Sequence, residues 1–250
     1  KLLIGRGARD ITLLGQNVNS YYDAESKCDF AGLLREIDLF EGNYRIRFMT
    51  SHPKDLTEKI IKIISESKHI GHYIHLPVQS GSDKILKAMN RHYTSDDYLS
   101  KINLIRKYMP DCGITTDIMV GFPGETEEDF NDTLKLVEQC KFFSAFTFIY
   151  SVRKNTVAEK MQNQIEEDIK HKRLERLIDL QNEISVNISK SFIGRIVNVL
   201  GENFDSGWVS GRTDCGKLIT FRGTENDIGE FIDVEITEAK LSSLIGIKIN

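Results

Sequence analysis

The sequence predicts an α/β protein, in which a partial TIM-like (β/α) barrel is followed by a small all-β barrel of OB-like type. A β-rich run, a polar loop and a helical pattern recur about five times at a spacing of roughly 30 residues, which is typical of a parallel sheet. Polar residues follow the C-terminal ends of these runs, where an α/β barrel builds its active site. After Gly194 the pattern changes to short β-rich runs separated by glycine-containing turns, and this change predicts the second barrel. An open doubly wound sheet is the alternative, but no GxGxxG motif marks a first turn.

The elements follow in order along the chain. The strands of the first part are expected at 10–15, 44–49, 73–76, 113–120 and 143–150, and the first of them, an apolar run, is expected to be buried. The helices between them are expected at 30–40, 55–67, 83–89, 98–109 and 125–140, with Asp55 and Glu58 as a capping signal for the second. The strands of the second part are expected at 195–200, 208–209, 217–221, 231–237 and 244–249. A charged helix across 165–193 reads as a mostly solvated connector, so we expect domains at 1–163 and 194–250 joined by 164–193.

Composition limits the class of protein. The chain has 250 residues, of which 40% are hydrophobic and 28% charged, as in ordinary globular domains. It contains no run of about 18 apolar residues and no recognisable secretory signal, so we expect a cytoplasmic protein without membrane contact. The net charge of −4 argues against a wholly basic nucleic-acid binder but allows a local basic patch. The four cysteines are far apart, which excludes a cysteine-only metal site built from neighbouring ligands.

The segment 73–93 connects the third strand to its helix and carries the clearest local signals. Pro77 ends the strand because it lacks an N–H for the sheet, and Ser82 stands at the N-cap of the next helix. Asp83 lies in the first turn of that helix. The exposed N–H groups of a helix start predict an anion site, and Arg91 is near enough in sequence to add a positive charge. A well-capped loop with a solvent-facing arginine is the alternative interpretation.

Further candidate residues follow the other strands. They are the amide pair Gln16 and Asn17, and then His52, Gln79, Asp117 and Tyr150. Amides donate and accept hydrogen bonds, so they suit a zwitterionic or nucleotide ligand, although they also make ordinary turns. In the second part, cations cluster near an aromatic residue, which suits a nucleic-acid strand, although scattered surface charge is equally consistent. The members of this cluster are Arg212, Lys217, Phe221 and Arg222.

Five motifs in order carry a resemblance that covers nearly the whole chain. They are LLGQNVNSY at 13–21, TSHP at 50–53, HLPVQSGS at 75–82, MNRHY at 89–93 and DIMVGFPGET at 117–126. Together they resemble the radical-SAM methylthiotransferase family, and the first motif resembles its tRNA-modifying branch more than its ribosomal-protein branch. Residues 210–223 look like part of a TRAM domain.

The resemblance implies a longer enzyme with two [4Fe-4S] clusters, one of which cleaves S-adenosylmethionine with the help of an electron donor. The resulting radical would abstract hydrogen from C2 of an isopentenylated adenosine beside the anticodon of a tRNA, where a methylthio group is installed. TRAM would grip the tRNA. The family's cluster cysteines are not in this sequence, and we expect them upstream of Lys1. The chain thus resembles a C-terminal portion without the first barrel strand, with no metal ligand or catalytic residue of its own, and inactive alone.

The resemblance also implies roles for individual residues. Gln16 and Asn17 would bind the amino group of S-adenosylmethionine, and Ser80, Gly81 and Arg91 its carboxylate. The adenine would lie beside Val120, Gly121 and Phe122. His52, Asp117 and Tyr150 would touch ribose or substrate or serve as structural residues, and Gln79 is a further cofactor-site candidate. Two other functions remain open: a ribosomal-protein methylthiotransferase, and a non-catalytic RNA-binding protein that lost its clusters.

Overall fold

The computed structural model describes residues 1–49 and 51–249, and its first part is built from βα units. The strands of this part are β1 (Asp10–Leu13), β2 (Tyr22–Asp23), β3 (Cys28–Asp29), β4 (Arg45–Phe48), β5 (Tyr73–His75), β6 (Gly113–Val120) and β7 (Ser144–Ile149). The helices are α1 (Leu2–Gly5), α2 (Phe30–Asp38), α3 (Glu58–Glu66), α4 (Asp83–Ala88), α5 (Ser95–Tyr108), α6 (Glu127–Cys140) and α7 (Glu167–Lys190).

Five of these strands form one parallel layer in the order β1, β4, β5, β6, β7. β1 pairs with β4, and β6 lies between β5 and β7, all in parallel register. The two groups are joined by a parallel bridge between Ile46 and Ile70, where the Ile46 N–H donates to the His69 carbonyl at 2.7 Å. β2 and β3 make a small antiparallel hairpin outside this layer. The predicted parallel βα architecture is confirmed.

Helices cover one face of the parallel layer, and the main hydrophobic core lies between this face and the helices. Alternate residues of the strands enter this core, among them Ile46, Ile74 and Ile118. Two helices begin with complete capping boxes, in which a threonine and an aspartate three residues later bond reciprocally. These pairs are Thr94 with Asp97 at α5 and Thr126 with Asp129 at α6.

Two local expectations are wrong. The N-cap of α3 is Thr57, whose hydroxyl accepts from the Ile60 N–H at 3.3 Å, whereas Asp55 accepts a hydrogen bond from Asn17. β1 is partly exposed rather than buried, because among the described residues it has a strand neighbour on one side only.

Most residues of α7 are exposed, as expected of a connector, but one face of the helix packs against the sheet, which the sequence did not predict. Its buried stripe recurs every three to four residues and is largely polar, and its members include Lys170, Arg173, Leu177, Gln181 and Ser185. The polar members bond to the loops and strand ends below; for example, the Gln181 amide donates to the Phe142 carbonyl at 2.9 Å. No helix among the described residues combines the length and apolarity that crossing a membrane requires.

The second part is a closed five-stranded barrel, as predicted. Its strands are β8 (Ile196–Asp205), β9 (Trp208–Thr213), β10 (Leu218–Arg222), β11 (Phe231–Ala239) and β12 (Ser243–Lys248). They close in the order β10, β12, β11, β8, β9, with one parallel pair between β10 and β12. Its own core includes Val199, Phe221 and Val234, all fully buried.

The C-terminal barrel packs against the N-terminal ends of the parallel strands. The Arg45 guanidinium, at the start of β4, donates to the Arg212 carbonyl at 2.9 Å. The His72 N–H, just before β5, donates to the Asp214 carboxylate at 3.1 Å. A Cβ atom on Gly113, the first residue of β6, would lie 2.0 Å from the Cys215 carbonyl, so the two backbones are in direct contact. The opposite edge of the sheet, where the strands end, is left for a functional site.

Candidate functional site

The predicted cofactor-site residues come from the C-terminal side of the parallel sheet. Gln16 and Asn17 follow β1, His52 follows β4, and Gln79 follows β5. The remaining members of the set come from β6 and from the residue after β7, and they are Asp117 and Tyr150. Because parallel strands end at one edge, the fold places these groups on the same side of the molecule. Thr50, in the TSHP motif, lies outside the described residues.

Asn17 has a buried oxygen with an unfilled hydrogen-bonding capacity. Its side-chain nitrogen donates to the Asp55 carboxylate at 2.5 Å, which fixes the orientation of the amide. Its Oδ1 atom is buried and has no hydrogen-bond partner among the described residues. A buried amide oxygen without a partner is costly, so this atom is suited to accept from a ligand N–H. The neighbouring Gln16 is exposed.

A second group of residues surrounds Arg91. The His52 ring meets the Tyr93 ring edge-on at 5.7 Å, and the Tyr93 hydroxyl donates to the Val78 carbonyl at 3.0 Å. Burial, and then the positive charge of Arg91, lower the pKa of His52. Burial raises the pKa of Tyr93 to about 12, so it remains a neutral donor. Within residues 1–49 and 51–249, the half-buried Arg91 guanidinium makes no hydrogen bond or ion pair.

Gln79 adopts a strained backbone conformation at this edge. Its φ angle is +72°, in the left-handed region that non-glycine residues rarely adopt. Its N–H donates to the Asp117 carbonyl at 2.8 Å, and its carbonyl accepts from the Met119 N–H at 2.9 Å. These bonds to β6 hold the residue in place beyond Pro77. Strain of this kind is characteristic of ligand-binding positions.

Ser80 and Gly81 face α6. They do not face the candidate residues at the C-terminal ends of the strands, which we call the strand-end site (Gln16, Asn17, His52, Gln79, Asp117 and Tyr150). The Gly81 N–H donates to the Thr133 hydroxyl at 2.9 Å, and the buried Ser80 hydroxyl lies 3.3 Å from the same atom. A Cβ atom on Gly81 would lie 2.5 Å from the Asp132 carbonyl, so α6 occupies the space beside it. The expectation that these two residues hold a carboxylate is therefore not supported by their contacts, which are satisfied within the protein.

A carboxylate of the protein itself bonds to side chains at the start of α4. Ser82 is its N-cap as predicted, and the Ser82 hydroxyl donates to the Asp129 carboxylate at 2.7 Å. Lys84 bonds to the same carboxylate at 2.6 Å. Asp129 thus bonds to the N-cap side chain and to Lys84 at the helix start where an anion was predicted, and the local sequence could not reveal this because Asp129 lies 47 residues away.

The loop after β6 packs against α7. The Val120 side chain enters the core between sheet and helices, so it does not flank a ligand as expected. Gly121 has a φ angle of +75°, and a Cβ there would lie 2.4 Å from the Lys170 side chain. The glycine is therefore explained by its backbone conformation and by Lys170, and the space beside it is not open to a base.

Phe122 and Tyr150 form an aromatic contact on the same side, with ring centroids 5.2 Å apart. Tyr150 is buried, and its hydroxyl has no hydrogen-bond partner among the described residues. This hydroxyl and Asn17 Oδ1 are thus two buried polar atoms, both on predicted site residues, that a ligand could satisfy.

Sequence reasoning missed an ion pair that holds the β6–α6 loop. The Arg173 guanidinium, on α7, bonds to the buried Glu125 carboxylate at 2.7 Å, and the same carboxylate accepts from the Gly121 N–H at 3.0 Å. Burial raises the pKa of Glu125, while the Gly121 N–H and Arg173 oppose this shift. Glu125 lies in the GFPGET stretch, so the motif could have pointed to this residue. Its partner Arg173 is 48 residues away, and no local pattern connects the two.

Sequence reasoning also missed a hydrogen-bonded chain on the sheet face opposite the helices, which we call the inner face. The Tyr73 hydroxyl and His75 Nδ1 each lie 3.0 Å from the Thr115 hydroxyl. His75 Nε2 lies 3.5 Å from the Asp117 carboxylate. If Thr115 donates to Nδ1, then Nε2 carries the proton and faces Asp117, so the chain orients this candidate residue.

In the C-terminal barrel the four predicted RNA-binding residues divide into two pairs. Phe221 is 0% exposed in the barrel core, so it cannot stack on a base, and this expectation is wrong. Lys217 is also buried: its ammonium bonds to the Ser189 hydroxyl at 3.2 Å and lies over the Phe143 ring, and burial lowers its pKa. It contacts the first part of the protein, so the expectation of an RNA contact is wrong here too.

The other two predicted RNA-binding residues are exposed. The Arg212 side chain pairs with Glu202 and remains accessible. The Arg222 guanidinium lies 4.0 Å from the centre of the Trp208 ring, a cation–π pair on adjacent strands. Trp208 was missed by sequence reasoning, although a lone tryptophan in a β-rich run beside cations was a usable signal.

The cysteines do not form a metal site. Cys112, Cys140 and Cys215 are buried in the cores, and burial raises the pKa of each thiol. Cys28 lies in the β2–β3 hairpin. Across the described residues, no three His, Cys, Asp or Glu side chains are grouped so that they could hold a metal ion.

Comparison with known proteins gives two domain families and close relatives. The radical SAM superfamily matches residues 1–137, and the TRAM domain matches residues 190–249. A Clostridium botulinum protein named tRNA-2-methylthio-N(6)-dimethylallyladenosine synthase is 50% identical over 253 residues, covering 100% of this chain and 56% of that protein. A protein of the same name from Alkaliphilus oremlandii is 51% identical over 248 residues, covering 98% of this chain and 53% of its own length. The chain therefore spans about half the length of the curated relatives it matches.

Among solved structures, coproporphyrinogen III oxidase from Escherichia coli, a radical SAM enzyme, matches with 14% identity and a TM-score of 0.49. That match covers 88% of this chain and 55% of the oxidase. The superfamily match extends over more than half of the chain and includes the sheet from β1 to β6 together with the loops at its C-terminal edge. The chain belongs to the radical SAM superfamily, and its C-terminal barrel is a TRAM domain.

Proposed function

We propose that this chain is part of a tRNA methylthiotransferase, which installs a methylthio group at C2 of N6-dimethylallyladenosine beside the anticodon. The observation that carries the proposal is the identity of about 50%, over the whole chain, to proteins named for that synthase activity. Because the chain spans about half of those relatives, the activity is proposed for the longer protein that contains it.

The strand-end site fits S-adenosylmethionine. Arg91 offers a half-buried cation for the carboxylate, and a charge-assisted bond of this type is among the stronger polar contacts. Asn17 Oδ1 and the Tyr150 hydroxyl are buried and lack partners among the described residues, so the amino group and the adenosine portion would satisfy them. Bound in this way, S-adenosylmethionine would supply the hydrogen-abstracting radical of the family's chemistry. Gln16, His52, Gln79, Asp117 and Phe122 remain candidates for its outer contacts.

The cysteines of this chain do not fit an iron–sulfur cluster. Two are buried in the main core, one is buried in the core of the C-terminal barrel and the fourth is in a hairpin, so we assign none of them as ligands. We propose that the [4Fe-4S] clusters are bound by parts of the longer protein outside this chain. A separate electron donor would reduce them.

The TRAM domain would bind the tRNA through its exposed cations. Arg222 on Trp208 combines a positive charge with an aromatic face, a pairing that suits a phosphate backbone next to a base. Arg212 adds a second exposed cation. A tRNA substrate would place the protein in the cytoplasm.

The proposal is tested with the full-length protein, with its clusters reconstituted without oxygen, and tRNA that carries or lacks the dimethylallyl group. Mass spectrometry of nucleosides should show 2-methylthio-N6-dimethylallyladenosine only with the modified tRNA. Modification of a ribosomal protein instead would favour the other branch of the family. RNA binding without any product from a protein that has no cluster cysteines would favour a non-catalytic RNA-binding protein.

A further inference from the structure

Two phenylalanine side chains lie exposed on the inner face of the sheet. Phe146 is 51% exposed and Phe148 is 49% exposed. They are two residues apart on β7, so their side chains point to the same side. The Phe146 ring meets the His75 ring edge-on at 5.9 Å, which places the pair on the inner face. Ala145 and Ile149, on the other side of β7, pack against the helix-covered core.

This aromatic pair is continuous with the candidate cofactor site. In the β6–β7 register, Phe146 stands beside Asp117 and Phe148 stands beside Met119. Tyr150, whose buried hydroxyl lacks a described partner, follows two residues after Phe148. The inner face therefore presents apolar rings next to a few polar groups, the usual composition of a small-molecule site.

The chemistry of the proposed substrate matches this face. An N6-dimethylallyl adenine has a flat aromatic base and a five-carbon apolar group with no hydrogen-bonding atoms. Phenylalanine rings stack on bases, whether or not the base is modified. They also bury apolar carbon, which favours the dimethylallyl group, whereas they provide no hydrogen-bond acceptor for an unmodified amino group. Asp117 and its His75 partner border the rings and supply the polar side of the site.

We propose that Phe146 and Phe148 bind the dimethylallyl-bearing adenine of the tRNA and determine the preference for the modified base. This inference rests on the proposed function and names the residues that read its substrate. The two rings act as specificity-determining residues and leave the binding of S-adenosylmethionine to the strand-end groups.

The test measures affinity, so it does not depend on turnover. Two anticodon stem-loops that differ only in the dimethylallyl group are titrated by fluorescence anisotropy against the full-length protein and its variants. The wild type should prefer the modified stem-loop, and Phe146→Ala with Phe148→Ala should reduce that preference by about tenfold, because the dimethylallyl carbons are then no longer buried. Phe204→Ala is the matched control, because Phe204 is 40% exposed on β8, away from the inner face. It should leave the ratio of the two affinities unchanged.

Each alternative outcome has a distinct meaning. If the wild type prefers the modified stem-loop and the double variant keeps that preference, the inference is overturned while the proposed function stands. An equal loss of affinity for both stem-loops would also overturn it, because the rings would then hold RNA without reading the modification. A wild type that neither prefers nor methylthiolates the modified RNA would overturn the proposed function and this inference with it. Should the alanine variants unfold, Phe146→Leu with Phe148→Leu is expected to lose about threefold of the preference, because leucine covers less of the dimethylallyl group than a phenylalanine ring does. Full retention of the preference in that variant would overturn the inference.

Discussion

The Ser82 hydroxyl donates to the Asp129 carboxylate at 2.7 Å, and this bond joins the N-cap of α4 to the first turn of α6. The same carboxylate accepts from Lys84 at 2.6 Å and from the Thr126 N–H at 2.8 Å. One side chain therefore completes the capping box of its own helix and bonds to the N-cap side chain of another. This contact adds to the bonds that Gln79 and Gly81 make to β6 and α6, so the loop between β5 and α4 is attached at several points.

Asp129→Asn is expected to destabilise the protein by about 2 kcal/mol at neutral pH, because it removes the charge from several hydrogen bonds. Burial alone would raise the pKa of Asp129, but the bonds from Lys84, Thr126 and Ser82 outweigh it and lower the pKa from 3.8 to about 2. Since the folded pKa is depressed, the stabilisation is complete above the unfolded pKa and is lost as pH falls through the folded one.

Urea unfolding of both proteins checks this expectation. The difference in unfolding free energy between wild type and Asp129→Asn should be constant from pH 7 to pH 5 and should shrink between about pH 4 and pH 2. Asp132→Asn is the control, because Asp132 lies on α6 with an exposed side chain whose one ion pair among the described residues is to Lys135. A difference independent of pH would show that the charge of Asp129 is not what stabilises this contact.

The sequence predicted what local signals specify and missed what distant residues supply. The Ser82 cap, the parallel strands and the closed second barrel follow from short-range patterns of polarity, proline and glycine. The role of Asp129 at α4 depends on a contact across 47 residues, which no local pattern contains. The predicted helix at 165–193 exists, but its buried stripe is largely polar, so the mixed charge of the segment did not reveal the face that packs on the sheet.

The errors in the TRAM domain have the same origin. Phe221 is buried between more exposed neighbours on β10. Side chains alternate between the two faces of a strand, and the register of β10 in the barrel places Phe221 on the inward face, which residue type alone did not reveal. Lys217 is buried because another part of the chain covers it, with Ser189 and Phe143 as its contacts. Sequence clustering of cations therefore could not separate an interface lysine from a solvent-facing arginine.

Gly216→Ala is expected to loosen the contact between the two barrels. Gly216 has a φ angle of +85°, and a Cβ atom would lie 2.6 Å from the Tyr73 ring. Gly194→Ala is the matched control, because Gly194 has a φ angle of +80° with nothing within 4 Å of its Cβ position. Both variants lose about 1 kcal/mol through the backbone, and Gly216→Ala should lose about 1–3 kcal/mol more through the clash. Equal unfolding free energies for the two variants would contradict the tight packing of Gly216 on Tyr73.

Arg91→Ala is expected to weaken S-adenosylmethionine binding by about tenfold or more, because a charge-assisted bond to the carboxylate is lost. Isothermal calorimetry on the full-length, cluster-loaded protein measures the affinity. Arg195→Ala is the control, since Arg195 lies in the TRAM domain and pairs with Asp111 just before the N-terminal end of β6, at the opposite end of the strands. An unchanged affinity for Arg91→Ala would remove Arg91 from the site.

Arg222→Ala and Lys217→Met are expected to differ in their effect on tRNA binding. Arg222 is exposed on Trp208, so its loss should weaken binding and lower the slope of log affinity against log salt by about 1. Lys217 is buried against Ser189, so its replacement should leave that slope unchanged and lower the melting temperature instead. Binding by the full-length protein at several salt concentrations separates the two effects. A reduced salt slope for Lys217→Met would mean that this lysine reaches RNA after all, and would require the two barrels to separate in the complex.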